Sequence, residues 1–476
     1  MTQRKISEHI FLFPFAWSVP THRKANNFKP QQNLKSDIFW TIDGWKRQDF
    51  NIDNYKEYNE FVYFYKPVRN VLYEKIKDAE ITKVYINSLV GPNSYCEVQI
   101  NDKIYKLNIF KIGLRVFKSG IGILSIYLDN YTYLDLEDVK NINLLSECVY
   151  PLELPIKYHP TKITFYLENN TIYEDRTLTD YKVNAGKISP FIMKLLGKNF
   201  VQEKKLWGIY IEPLIGSKMV TLCLFNDDEY LKKVKLNNSI LNKETIKEIY
   251  TSSDTDRFYY VTAFSLFCVS TINVDSKVYD QMMHLLLIQK TTLLNFSNQI
   301  ASISLLPETE LVIAIQDLYK IYIQFINQMY FNEVTEDARG RWLYSKISTL
   351  LNIQQEIQQL DFEMKEVHEY AELINREQSK IKVELFAFIG VALVVPTFVT
   401  GFFGMNIMSE ELVTWWQHDN TKLWLNTYAL FPILLISCIY TWRIQKIWAR
   451  IIIQSILIIS AIISLFIIFN YGCGSP

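Results

Sequence analysis

Cysteine, glycine, proline and histidine are all scarce in this chain of 476 residues, which holds six, 15, 14 and six of them. The cysteines (Cys96, Cys148, Cys223, Cys268, Cys438 and Cys473) stand far apart. That spacing excludes a zinc knuckle or a CxxC redox pair and reads as reduced, buried, small apolar residues. Such usage fits a soluble part in a reducing compartment. The histidines (His9, His22, His159, His284, His368 and His418) are scattered, with no two at a metal-ligand spacing such as i, i+4. There is no P-loop, dinucleotide fingerprint or nucleophile elbow, so an enzyme is the least favoured class. Asp254 and Asp256 read as a solvated turn rather than a cation site. Net charge is absent too: 50 basic residues balance 50 acidic ones, with no basic tract. Nothing therefore points to a nucleic-acid partner. There is no Gly/Ser-rich or Pro-rich linker. The N-terminal apolar run is broken by Pro14 and lacks a small-residue cleavage site, so it reads as a first β-strand rather than a signal peptide.

What the sequence does have is sharply partitioned. Residues 1–270 mix apolar and charged positions as an α/β domain does. Tyr95–Ile100 and Lys103–Ile109 alternate around Asn101-Asp102, a hairpin pattern without the usual glycine. Leu114–Phe117 and Ile121–Leu128 continue as strands with Gly120 at the turn. Met219–Phe225 and Tyr259–Cys268 are further strands, and Leu241–Ile249 reads as a helix.

Residues 271–382 read as helical. Val278–Ile303 forms one helix and Pro307 opens the next, as proline suits a helix start. Then Leu343, Ile347, Leu350, Ile353, Ile357, Leu360, Met364, Val367, Ala371 and Ile374 recur at threes and fours. This predicts one long stalk helix from about Arg341, with a coiled-coil-like seam that self-association would bury.

Residues 383–476 hold three runs nearly without charge, at about 385–405, 423–442 and 451–469. Each is long enough at 1.5 Å per residue to cross a hydrocarbon core of roughly 30 Å. Basic flanks (Arg376, Lys380 and Lys382; then Arg443, Lys446 and Arg450) alternate with an acidic loop. The expectation is a transmembrane domain of two spans and a third, with the N-terminal domain cytoplasmic.

Towards the end of the first run stands PTFVTGFFGMN, Pro396 to Asn406. This segment resembles the CorA family of magnesium channels, whose first membrane helix ends in a Gly-Met-Asn signature. Here the signature is Gly404, Met405 and Asn406. Its setting also resembles the family: an α/β domain, a stalk, the signature, a short acidic loop, a second span and a basic stretch.

The resemblance implies a homopentameric divalent-cation channel in the plasma (inner) membrane, in contact with the lipid bilayer. No cofactor is implied beyond magnesium as the transported, and also regulatory, ion. Magnesium dehydrates reluctantly, so neutral carboxamide oxygens of Asn406 would meet the hydrated ion. Gly404 would let the chain turn at the helix end. Glu410 and Glu411 would gather cations at the outer mouth. Thr397, Val394, Gly390, Phe386 and Val383 would line the pore. The departures are Phe403 where the family has Tyr, Met408-Ser409-Glu410 where it often has Met-Pro-Glu, Lys380 and Lys382 at the inner mouth, Glu384 where a basic residue is common, and the third apolar run. They leave open a transporter of zinc, cobalt or nickel, or a non-conducting membrane-anchored sensor or scaffold.

Overall fold

The computed structural model describes residues 4–19, 34, 37–73, 81–151, 159–178, 186–203, 208–214, 216, 218–229, 249–251, 257–271, 275–407 and parts of 454–466. Residues 1–368 form one compact unit and 369–476 a second.

The first unit is built on a 14-stranded sheet. In chain order the strands are β1 (Ser7–Ser18), β2 (Trp45–Arg47), β3 (Thr82–Asn87), β4 (Tyr95–Ile100), β5 (Lys103–Phe117), β6 (Ile121–Asn130), β7 (Pro160–Leu167), β8 (Asn170–Asp175), β9 (Phe200–Val201), β10 (Ile209–Pro213), β11 (Val220–Asn226), β12 (Ile249–Thr251), β13 (Arg257–Val261) and β14 (Ser265–Ser270). The main path runs β12-β13-β14-β11-β1-β6-β5-β4-β7-β8. Pairing is antiparallel except for β9–β10 and β11–β14.

The first strand is central. One edge of β1 pairs with β6 from Ser7 to Ala16. The other edge is shared between β11, opposite Ser7–Leu12, and β10, opposite Phe15–Ser18. Pro14, which has no N–H to donate, falls at the junction of those two partners. Gly122 lies opposite Phe15, and a Cβ there would overlap the Phe15 ring.

Two hairpins follow the sequence pattern. Asn101 turns β4 into β5 with φ 52°, a left-handed conformation that asparagine tolerates where glycine is absent. Gly120, φ 82°, turns β5 into β6. The expected single strand Tyr259–Cys268 is instead a hairpin of β13 and β14. Of the expected helix Leu241–Ile249, only Ile249 is described, and it lies in β12. Cys96, Cys148, Cys223 and Cys268 are free and buried, as expected of them.

The helices are α1 (Tyr55–Tyr63), α2 (Lys66–Leu72), α3 (Leu136–Asn143), α4 (Pro190–Leu196), α5 (Lys277–Ile303), α6 (Glu308–Met329), α7 (Ala338–Leu350) and α8 (Ile353–Ile407). Leu285, Leu286, Ile288 and Phe296 of α5 join Ile10, Leu12, Ile123 and Leu222 of the sheet in one apolar core. Phe11, Phe13, Phe15 and Trp17, on the opposite face of β1, join a second core with Phe191 and Leu195 of α4.

The stalk departs from expectation in two ways. It is broken at Leu351-Asn352, where Asn352 takes φ 54°. Its seam is also occupied by the chain itself: Leu343, Ile347, Ile353, Ile357, Leu360 and Met364 lie in the core with α5 and α6. Up to Met364 the seam therefore supplies no argument for self-association.

The expected membrane domain is corrected. Among the described residues, no helix is long and apolar enough to cross a membrane. The transmembrane spans, the multi-pass topology and the plasma-membrane location inferred from the sequence fall with that observation. In α8, Arg376, Lys380, Lys382 and Glu384 place four charges directly against the apolar segment, so the helix is not uniformly apolar. The run 423–442 lies outside the described residues, as does much of 451–469.

Candidate functional site

The residues expected to line a pore all fall on α8. On a regular helix at about 100° per residue, Val383, Phe386, Gly390, Val394 and Thr397 share an arc of about 80°. All five are exposed. Val383, Phe386 and Val394 are 66%, 72% and 63% accessible, a large apolar surface for side chains of their kind. Ile381, Ile389 and Leu393, off that arc, are exposed as well, so exposure is not confined to it. Lys380 and Lys382 are also exposed. They lie about 80° to either side of the arc's centre, flanking it rather than standing on it.

Gly404, Met405 and Asn406 occupy the last described turn of α8, which continues through Gly404 to Ile407 rather than turning there. Gly404 falls at the edge of the arc, whereas the position of Asn406 is about 160° from its centre. Glu410 and Glu411 lie outside the described residues, as do Asp254 and Asp256.

A second concentration of polar groups lies under α5, sealed between that helix and the sheet. The Tyr127 hydroxyl donates to Asp280 Oδ2 at 2.9 Å. Arg115 Nη1 donates to Gln281 Oε1 at 2.7 Å, and Gln281 Nε2 donates to Glu60 Oε1 at 2.9 Å. His284 Nδ1 lies 2.9 Å from the Asp280 carbonyl oxygen, which can only accept. That fixes the proton on Nδ1 and makes Nε2 the acceptor for Ser125 Oγ at 2.8 Å.

Burial, with help from Arg115, lowers the His284 pKa, so the ring is neutral. Burial alone would raise the Asp280 pKa, but His284, Arg115 and the Tyr127 hydroxyl reverse this and hold it down. His284, though uncharged, contributes through its Nδ1–H, which faces Asp280 Oδ1 at 3.1 Å.

Ser125, His284 and Asp280 have the residue types of a hydrolytic triad, but His284 is 0% and Ser125 1% exposed. The cluster is a buried polar layer that ties α5 to the sheet, in which Asp280 Oδ1 makes no hydrogen bond and faces His284 Nδ1 at 3.1 Å.

The third feature is a cleft of about 530 Å³ on the face of β11, β13 and β14 that α5 does not cover. Thr221, Phe258, Tyr260 and Phe267 line its sheet side, facing Leu136 and Leu144. The eight-residue α3 is too short to roof all of these strands.

A relay of hydrogen bonds ends in the floor of this cleft. Asn130 Nδ2 donates to Ser7 Oγ at 2.8 Å. Ser7 and His9 Nε2 stand 2.9 Å apart, and His9 Nδ1 donates to Asn143 Oδ1 at 2.7 Å. Burial pushes the His9 pKa down to about 4, so the relay is uncharged at neutral pH. Asn143 also lies beside the buried Cys223 thiol, whose pKa burial has raised.

At the rim, Lys218 Nζ meets Glu147 Oε1 at 2.5 Å. His159 Nε2 approaches the same carboxylate at 3.4 Å. Burial lowers the His159 pKa, so Lys218 is the cation that balances Glu147.

Comparison with known proteins gives no match. No family model, no curated protein and no solved structure is similar to the chain. Among the described residues, no group of three or more His, Cys, Asp or Glu side chains is placed to hold a metal ion.

Of these features, sequence reasoning singled out the α8 arc and missed the other two. A signal for the buried layer was present in YDQMMHLLLIQ, where Asp280, Gln281 and His284 interrupt an otherwise apolar helix. No local signal marks the cleft, because α3 and the strands β11, β13 and β14 are brought together over roughly 80 to 130 residues of chain.

Proposed function

We propose that the protein transports a divalent cation, magnesium first, as a homo-oligomer in which copies of α8 surround a common path. The observation that carries this reading is the Gly404-Met405-Asn406 signature, borne on the same 55-residue helix as the exposed arc from Val383 to Thr397. An exposed apolar surface of this size calls for cover, and neighbouring copies of the same helix would supply it. Neutral oxygens such as that of the Asn406 carboxamide suit an ion that keeps its water, since they recognise the hydration shell without stripping it. Glycine at position 390 leaves the arc locally narrow in side-chain bulk, while Val383, Phe386 and Val394 offer apolar constrictions.

A second reading is a divalent-cation sensor that does not conduct. Two observations favour it: the lysines flanking the arc, and the position of Asn406 away from the arc's centre on a regular helix. Magnesium uptake by proteoliposomes carrying the full chain, with Asn406→Ala as the paired protein, separates the two. Uptake by the parent and loss of most of it in Asn406→Ala would support transport through the signature. No uptake by either protein, with the oligomer shown intact, would discard transport and leave the sensor reading.

A further inference from the structure

We propose that the cleft between α3 and the β11–β13–β14 face binds a small amphipathic carboxylate: an apolar, preferably aromatic body bearing one anionic group. This inference stands apart from the reading of α8.

Size comes first. A volume of about 530 Å³ falls within the range of small-molecule sites and is far more than one or two waters occupy. Composition comes second. The sheet side presents Phe258, Tyr260 and Phe267, with Phe264 on the turn between β13 and β14 reaching the opening at 43% exposure. Aromatic side walls favour a flat apolar body that can stack or pack edge-on.

The distribution of charge comes third. The floor is polar but neutral, because Asn143 Oδ1 accepts from an uncharged His9. A charged group placed there would gain no ion pair and would lose its water. Charge is confined to the rim, where Lys218 and Glu147 neutralise one another. Lys140 is the cation left over. Its partner, Glu137, is 3.8 Å away on the same helix with its side chain 76% exposed, a contact that contributes little. The rim therefore carries one cation in excess beside an apolar interior. That arrangement fits a ligand whose body enters and whose carboxylate stays at the mouth.

Calorimetric titration of the full chain with 1-naphthoate, 1-naphthylmethanol and 1-naphthylmethylammonium tests this. The expected order is carboxylate tightest and ammonium weakest. Lys140→Glu, a change on an exposed helix face, should weaken naphthoate about tenfold while leaving the alcohol within about twofold, corresponding to roughly 1.4 kcal/mol. Ser265→Leu, which fills the cleft from β14, should weaken both, and an unchanged melting temperature would show that either variant is folded. Equal binding of the three probes would overturn the proposal, as would naphthoate binding that ignores both substitutions.

Discussion

The Tyr127 hydroxyl and Asp280 Oδ2, 153 residues apart in the chain, meet at 2.9 Å and tie the middle of the sheet to the first turn of α5. Both groups are buried. The bond is charge-assisted and shielded from water, so its loss is felt more than that of an exposed pair. Tyr127→Phe should therefore cost about 2 kcal/mol, because a buried carboxylate oxygen loses its donor. Urea unfolding read against Tyr55→Phe, an exposed tyrosine, measures it. A midpoint shift no larger than that control would show that the hydroxyl contributes nothing.

Acid should weaken the first unit through His9. The folded ring stays neutral down to about pH 4, while an unfolded histidine takes up a proton near pH 6.5. The folded pKa is thus depressed. The contribution is fully present above pH 6.5 and is lost as the pH falls towards 4, amounting to about 3 kcal/mol over that window. His284, also lowered by burial, acts in the same direction. In a series of unfolding curves from pH 7 to 4, His9→Gln should show a slope smaller by about one proton than the parent. Identical slopes would exclude His9 as a contributor.

The break between α7 and α8 gives a backbone test. Asn352 holds φ 54°, which costs a β-branched residue roughly 1–2 kcal/mol and glycine nothing in sterics. Asn352→Val should be destabilised by about that amount, and Asn352→Gly should stay close to the parent. Equal melting temperatures for the two variants would mean that the chain accommodates a continuous helix at this point.

Much of the fold was legible where the pattern is local. The Asn101 and Gly120 hairpins, α5 and the start of α6 after Pro307 all follow from turn chemistry or periodicity. What failed was long-range. The heptad-like seam predicted one self-associating rod, yet Asn352 interrupts it and α5 and α6 cover its apolar positions. Periodicity reports that a face is buried, not which partner buries it. The uncharged run from Leu385 similarly led to a membrane domain that the described residues do not contain. The residues from Val383 to Thr397 were singled out by counting inward from the Gly404-Met405-Asn406 signature along a helix, as the resemblance implies, and the structure places them on one arc of α8. The His9–Asn143 relay and the cleft above it were not legible, because β1 and α3 meet across 134 residues.

The placement of β1 has a consequence for how this protein is made. The strand leaves the ribosome before any of its partners, and its two edges are completed far apart in time, one by β6 at residues 121–130 and the other by β10 and β11 at residues 209–226. At a synthesis rate of roughly 5–20 residues per second, the second edge waits on the order of 5–20 s for its partners. During that interval an apolar strand, FLFPFAW, lies open along one side. The nascent chain is therefore most vulnerable to wrong pairing between the emergence of β6 and that of β11. Chaperone demand should peak over that interval.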